Sequence, residues 1–132
     1  MEFEFTWIDP SLVLSRTSGF ASPEGFSALY EQLVSQPEFQ PGVKVLSDHT
    51  KLDVSALTAA DIEKIADARV LFIGSIGVSS AVVVGPHSPA KYGLARMFEA
   101  FSDGENDARV GVFETFDDAM AWLQADDASS GK

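Results

Sequence analysis

The first seven residues alternate strictly between apolar and polar side chains. Phe3, Phe5 and Trp7 fall on one face of an extended chain, with acidic or hydroxyl residues between them, and this pattern predicts a half-buried strand. The Asp-Pro pair at 9–10 indicates a turn, and SLVLSRTS (11–18) predicts a second strand directly after it. Because the turn is short, the two strands should form an antiparallel hairpin.

Four helix starts follow, each marked by a capping residue. Ser22 and Ser88 each precede a proline, which suits the first helical turn. Thr58 and Thr115 each lie three residues before an aspartate, the spacing of a capping box with Asp in place of Glu. Apolar residues at helical spacing continue behind each start: Phe26, Leu29, Tyr30, Leu33 and Val34; Ile62, Ile65 and Ala66; Leu94, Met97, Phe98 and Phe101; and Phe116, Ala119, Met120 and Leu123.

Three short β-branched runs lie between these helices, at 42–48, 79–85 and 108–114. The last two are typical of strands buried on both faces, as in a parallel sheet between helical layers. The resulting order is β-β-α-β-α-β-α-β-α. It predicts a single α/β sandwich domain over residues 1–124, with a mixed and mostly parallel sheet of about five strands. Residues 125–132 are expected to form a flexible tail.

Composition restricts the class of protein further. A chain of 132 residues with 45% hydrophobic content supplies one core, and the lack of cysteine excludes disulfides and thiolate sites. The acidic start MEFEFTWID is unlike a signal peptide, and the run at 70–85 is too short and interrupted to span a bilayer. We therefore expect a cytoplasmic protein. Its net charge of −11 disfavours nucleic acid and anionic lipid as partners.

Acidic residues concentrate towards the carboxyl end, where nine lie between residues 99 and 127 against a single base, Arg109. Such a run either serves a basic partner or forms a solvated surface, and the second interpretation is favoured. The segment GSIGVSS (74–80) is rich in Gly and Ser but follows a helix and leads into a strand. A phosphate-binding loop has the reverse order, so we predict a connecting turn and no cofactor.

The stretch SDHTKLDVSALTAAD (47–61) joins a predicted strand to a predicted helix and concentrates polar side chains. His49 and His87, the two histidines, both follow predicted strands, and ligands gather at this rim in open α/β sheets. A histidine with Asp48 or Asp53 and a serine could support hydrolysis, and Asp48, His49 and His87 could hold a metal. Because neither a nucleophile elbow nor paired ligand spacing is present, turn and cap chemistry is the favoured interpretation.

The helix predicted from KYGLARMFEAF (91–101) carries an arginine among apolar residues. Tyr92, Arg96 and Glu99 share one side of this helix. Arg96 could anchor a carboxylate or phosphate through its planar guanidinium, or pair with Glu99, and the ion pair is favoured.

Three stretches carry a family resemblance: LVLSRTSGFASPEGFSALYEQLVSQPEFQPGVKVLSDHTKLDVSAL (12–57), YGLARMFEAF (92–101) and ARVGVFETFDDAMAWL (108–123). Together they resemble the SpoIIAA-like group of small bacterial proteins. That group is related to STAS domains, the fold of anti-sigma-factor antagonists, and is also compared with CRAL-TRIO lipid-binding domains. The most specific parts are Gly-Leu-Ala-Arg-Met at 93–97 and Ala-Trp-Leu at 121–123. The resemblance implies the element order predicted above.

The resemblance also implies a regulatory role for Ser55. In anti-sigma-factor antagonists, a partner kinase phosphorylates a serine in an Asp-Ser-Ser-Gly-Leu-like stretch before a helix, and the phosphate decides whether the domain docks. Here DVSAL (53–57) occupies that place, with Asp53, Ser55 and Leu57 matching and Ala56 replacing the glycine. Local hydrogen bonding to the following turn is the alternative role for Ser55, and the favoured one.

These observations predict a non-enzymatic protein-binding or regulatory module that resembles a STAS domain. The alternative is a small-molecule or lipid-binding domain, with a cavity between helices and sheet lined by Tyr92, Met97 and Phe98. A hydrolase or metal site at His49 and His87 comes third. The exposed edge of the hairpin makes a homodimer plausible. The interaction candidates are Asp48, His49, Asp53, Leu57, Thr58, His87, Tyr92 and Arg96.

Overall fold

The structure, a computed structural model, describes residues 1–73, 78–102 and 109–130, and the backbone alone for 126–130. Residues 74–77 of the turn predicted at 74–80, and three acids of the carboxyl-terminal run, lie outside the described residues. The elements are β1 (Glu2–Asp9), β2 (Leu12–Phe20), α1 (Pro23–Val34), β3 (Lys44–Asp53), α2 (Ala59–Ile73), β4 (Ser79–Val83), α3 (Pro89–Ser102), β5 (Arg109–Phe113) and α4 (Phe116–Ser130). This is the predicted order.

The five strands form one sheet in the order β1-β2-β3-β4-β5. β1 pairs with β2 antiparallel, as the short turn between them requires. The remaining pairs are all parallel, and each parallel connection passes through a helix. The prediction of a mixed, mostly parallel sheet of about five strands is therefore confirmed.

The two faces of the sheet bury different helices. On one face, Val13 and Val45 pack with Leu33 of α1 and Ile73 of α2. On the other face, neighbouring strand residues such as Leu46 pack with Ala119 and Leu123 of α4. Helices α1, α2 and α3 form a row, with α1 on α2 and α2 on α3, whereas α4 lies alone across β3, β4 and β5.

Local capping contacts start the helices where the sequence predicts. The Ser22 hydroxyl accepts a hydrogen bond from the Gly25 amide at 3.0 Å, and the Thr115 hydroxyl accepts one from the Asp118 amide at 3.2 Å. α4 continues to Ser130, so the segment predicted as a tail begins inside this helix, and its flexibility stays a prediction. None of the helices in the described residues is long and apolar enough to cross a membrane.

Candidate functional site

The loop between β3 and α2 begins with a tight turn made by Asp53 and Ser55. Asp53 Oδ1 accepts hydrogen bonds from the Ser55 hydroxyl at 2.6 Å and from the Ser55 amide at 2.9 Å. These two hydrogen bonds hold the pKa of Asp53 below its ordinary value, and the bond from the hydroxyl has the larger effect. An aspartate that bonds the backbone two residues ahead is a common turn device. Ser55 itself is exposed, and its hydroxyl bonds back to Asp53 rather than forward to the helix.

Thr58 starts α2 through a reciprocal capping box. Its amide donates to Asp61 Oδ2 at 3.0 Å, and its hydroxyl accepts from the Asp61 amide at 3.1 Å. Two amides that would otherwise lack partners at the helix start are satisfied in this way. Leu57, one residue earlier, turns inward and packs with the apolar side chains beneath the helices. The 53–58 loop is therefore held by its own hydrogen bonds.

β3 is longer than the sequence predicts. The strand was expected to end at Asp48, but it continues to Asp53 because its last residues pair with Ser18–Phe20 of β2. Between Arg16 and Ser18 the register shifts, so that His49 and Thr50 together lie opposite one residue, Thr17. Such a bulge re-aims side chains.

Asp48 and His49 lie on opposite faces of the sheet, as consecutive residues of a strand do. His49 lies under the helices with Leu52, whereas Asp48 faces a polar surface groove beside Arg16. Asp48 Oδ1 accepts bonds from the amide and hydroxyl of Thr50 at 3.0 and 2.7 Å. The two candidates therefore cannot act together on one ligand.

His49 is half-buried in an apolar environment. Its Nδ1 lies 2.6 Å from the Thr17 hydroxyl oxygen, and its ring meets the Phe26 ring edge-on, with 5.5 Å between centroids. Burial lowers the pKa of His49 from 6.5 to about 4, and the opposing effect of Asp48 is smaller. The imidazole is therefore neutral at pH 7.

A cavity of about 80 Å³ lies between the sheet and the row α1–α3, and we call it the interior cavity. Its walls are mostly apolar, with Leu29 from α1, Ile65 from α2 and Phe98 from α3 among them. The polar side chains that line it come from five elements and are Tyr30, Ser47, His49, Arg69, Ser80 and Lys91. This combination of apolar walls and a few converging polar groups is typical of a ligand site.

Arg69 of α2 is the most unusual side chain in this wall, because it is only 1% exposed. Its Nη2 donates to the Val78 carbonyl oxygen and to the Ser80 hydroxyl, both at 3.2 Å. Its Nη1 is buried and has no hydrogen-bond partner among the residues that the structure describes. Burial lowers the pKa of Arg69, yet a guanidinium stays charged in proteins.

Lys91 of α3 closes the cavity beside the bulge. Its ammonium group donates to the His49 carbonyl oxygen at 3.0 Å and to that of Thr50 at 3.2 Å. Burial, the largest influence, lowers its pKa, while Asp53 and Asp48 oppose the change. Lys91 thus ties α3 to the two residues of the bulge.

Three other candidates lie on the surface. His87 is exposed, with a φ of 61° in the turn after β4. Tyr92 is 37% exposed and does not line the interior cavity. Arg96 pairs with Glu99 at 2.9 Å, as the helical spacing favoured. Of the residues expected to line a cavity, Phe98 does so, whereas Tyr92 and Met97 do not.

The contacts of His49 bear on the hydrolase and metal hypotheses. Its hydroxyl partner belongs to Thr17, which is 4% exposed and shielded from a substrate. Within residues 1–73, 78–102 and 109–125, no group of three His, Asp or Glu side chains is arranged to hold a metal ion.

Sequence reasoning missed Arg69, Lys91 and Thr17. A signal existed for Arg69, because it falls on the same helical stripe as Ile62, Ile65 and Ala66, where an apolar residue is expected. A charged residue at a core position of an amphipathic helix is a reason to look for a partner. No comparable signal marks Thr17, whose role depends on the bulge in another strand.

Comparison with solved structures identifies a similar fold. The crystal structure of an uncharacterized protein of the DUF3478 family from Shewanella loihica PV-4, described as having a SpoIIAA-like fold, matches with a TM-score of 0.56. The match covers 92% of each chain at 17% sequence identity. No protein-family model and no curated protein matches the sequence. At that identity the likeness concerns the fold alone, and on this ground the chain has a SpoIIAA-like fold.

Proposed function

We propose that this protein is a non-enzymatic module that binds a small organic molecule in the interior cavity. The observation that carries the proposal is the cavity itself, where apolar walls from three helices and the sheet surround a few converging polar side chains. A well-packed core leaves few voids larger than a water molecule. A cavity lined by apolar walls and polar groups is better explained by a ligand than by packing.

The volume restricts the size of that ligand. A water molecule needs roughly 10–15 Å³ of cavity volume. The cavity of about 80 Å³ therefore has room for roughly five to eight water-sized atoms. Sites for drug-sized ligands span roughly 300–1,000 Å³. The cavity therefore favours a compact molecule over the lipid chain that a CRAL-TRIO-like domain would hold.

Helix α3 is the element through which a ligand would enter. Its apolar side chains Leu94, Ala95 and Phe98 face the cavity but are only half-buried, and Ser102 is its one buried residue in the described part of the helix. A helix with so little buried surface opens at low cost compared with α1 or α2. A bound molecule would add apolar contacts to this face.

Filling the cavity tests the proposal. Ala95→Leu adds apolar volume from α3 into the cavity, and Ala100→Leu makes the same change at an exposed position of the same helix. The proteins would be purified from the native cells and weighed by native and denaturing mass spectrometry. We expect an adduct of small-molecule mass on the unchanged protein and on the Ala100 variant, lost on denaturation and absent from the Ala95 variant. A bare mass for all three would refute the proposal.

A second candidate function, a phosphorylation-controlled docking surface, is supported by Phe20. This side chain is 69% exposed and lies beside Asp53 in the pairing of β2 with β3, so one exposed apolar side chain adjoins the turn that contains Ser55. A phosphate on Ser55 would remove the hydroxyl proton and set a dianion against Asp53, which would break the turn and change that surface. The partner would be a protein.

Phosphopeptide mapping of the protein from its own cells tests this candidate. Phosphate on Ser55, together with a partner that binds only the unmodified form, is the expected result. Ser35 is an exposed serine at the end of α1 and serves as the internal control. Phosphate on both serines, or on neither in growing and starved cells, would contradict a specific switch.

A further inference from the structure

Arg69 carries a charge that the described residues do not neutralise. Its side chain is 1% exposed, and its two partners, the Val78 carbonyl and the Ser80 hydroxyl, are neutral. Buried charges in proteins are ordinarily paired with an opposite charge, because desolvation of an isolated ion is costly. In residues 1–73, 78–102 and 109–125 no carboxylate forms an ion pair with it.

The Nη1 atom of Arg69 also lacks a hydrogen-bond partner among the described residues. It is buried with no hydrogen-bond partner in the described part of the chain, and a buried donor without an acceptor costs free energy on its own. Arg69 lines the cavity, has no counter-charge among the described residues and has one nitrogen, Nη1, without an acceptor, so it is the complement of an anion. Because Nη2 already donates to two acceptors, Nη1 supplies the free N–H groups that a carboxylate oxygen would accept from.

The other basic groups in the wall are less suited to this role. His49 is neutral at pH 7, since burial lowers its pKa to about 4. The Lys91 ammonium already donates to two carbonyl oxygens of the bulge. Tyr30 is 7% exposed and burial raises its pKa, so its neutral hydroxyl is available as an additional donor.

We propose that the interior cavity binds a compact monocarboxylate, with its carboxylate paired to Arg69 and its apolar part against α1 and α3. The inference rests on the proposed function and adds the chemical class of the ligand. A phosphate group is disfavoured, because the apolar walls offer too few donors for a dianion. The volume suits an acid of about three to six carbons.

Hexanoate and hexanamide are the probes, because they match in size and differ in charge. Binding would be followed by chemical-shift changes in ¹H–¹⁵N spectra at pH 7 in fixed salt. We expect hexanoate to perturb Leu29 and Phe98 of the wall and to bind about 10–100-fold more tightly than hexanamide. The Arg69→Leu variant should lose that preference, and the Arg69→Lys variant should keep part of it.

Lys91→Gln tests the second cation in the wall. It should keep the preference for hexanoate, and a loss equal to that of Arg69→Leu would assign the carboxylate to Lys91 and overturn our placement. If Arg69→Leu fails to fold, the affinities of hexanoate and hexanamide for the unchanged protein still show whether the cavity prefers a carboxylate. Equal binding of both probes would overturn the carboxylate and leave the proposed function standing. Binding of neither would overturn this inference, whereas the proposed function is overturned only by a bare mass for the protein from its native cells.

Discussion

The Nδ1 atom of His49 lies 2.6 Å from the hydroxyl oxygen of Thr17, across the pairing of β3 with β2. The contact exists because a bulge sets two residues of β3 against this single threonine. It fixes the imidazole beneath the helices, where its ring packs against Phe26 and lines the interior cavity. A neutral, immobilised histidine is suited to shaping a binding site.

The pH dependence of stability should report this burial of His49. The pKa of His49 is about 4 in the folded protein, whereas the ordinary value of 6.5 applies to the unfolded chain. Between these values the unfolded chain binds a proton that the folded protein does not, so stability falls as the pH is lowered through this window. We expect a loss of about 2 kcal/mol from this residue between pH 8 and pH 5, measured by urea unfolding.

Glutamine substitutions separate this effect from the titration of carboxylates. His49→Gln should remove about 2 kcal/mol of the pH dependence, and His87→Gln, at the exposed histidine, should leave the curve unchanged. If the curves of the two variants coincide, His49 is not the titrating group.

The features that the sequence predicts well are those that depend on neighbours along the chain. The hydroxyls of Ser22, Thr58 and Thr115 each bond an amide three residues ahead, so a short window contains the whole contact. The same holds for the ion pair of Arg96 with Glu99. These short-range contacts place the helix starts, and from them the element order followed.

The candidate site was harder to predict, because it depends on contacts between distant elements. The last residues of β3 are strand only because β2 is there to pair with them, and in the sequence the polar HTKLD (49–53) is typical of a loop. The cavity joins Arg69, Lys91 and Phe98 from two helices to the sheet. Of these, only Phe98 was expected to line a cavity.

Loss of the capping box at Thr58 should destabilise α2. Thr58→Ala removes the hydroxyl that accepts from the Asp61 amide, and we expect a loss of about 1 kcal/mol in the free energy of unfolding. Thr58→Ser keeps a hydroxyl at the same place and should retain most of the stability. Urea unfolding monitored by circular dichroism measures both, and equal losses for the two variants would exclude the cap as the cause.

The turn at Ser55 should control the ionisation of Asp53. Ser55→Ala removes the hydroxyl hydrogen bond, which is the largest cause of the lowered pKa of Asp53, so this pKa should rise towards its ordinary value. Carboxyl ¹³C shifts followed by NMR against pH give the measurement. Asp9 is an internal control, since its pKa is lowered by an equivalent turn with Ser11 and should not change. An unchanged pKa of Asp53 would show that the amide bond alone sustains the shift.

Two glycine-to-alanine changes should have opposite effects on stability. A Cβ on Gly111 would lie 2.8 Å from Phe113 Cε2 and 3.2 Å from Trp122 Cε2. The two rings pack at 5.5 Å, and the Arg109 guanidinium lies 4.8 Å above the indole, so the rings have little room to shift. We expect Gly111→Ala to cost about 1–3 kcal/mol by displacing α4 from β5.

Gly93 is the matched position, because it lies in helix α3 where a Cβ would meet no atom of the described residues within 4 Å beyond its own helical turn. Alanine favours the helical backbone over glycine, so Gly93→Ala should stabilise the protein by about 0.5–1 kcal/mol. Urea unfolding of both variants, with equal dependence on denaturant, gives the comparison. A Gly111 variant as stable as the unchanged protein would mean that α4 yields easily at this contact, and that the sheet face opposite the cavity is loosely held.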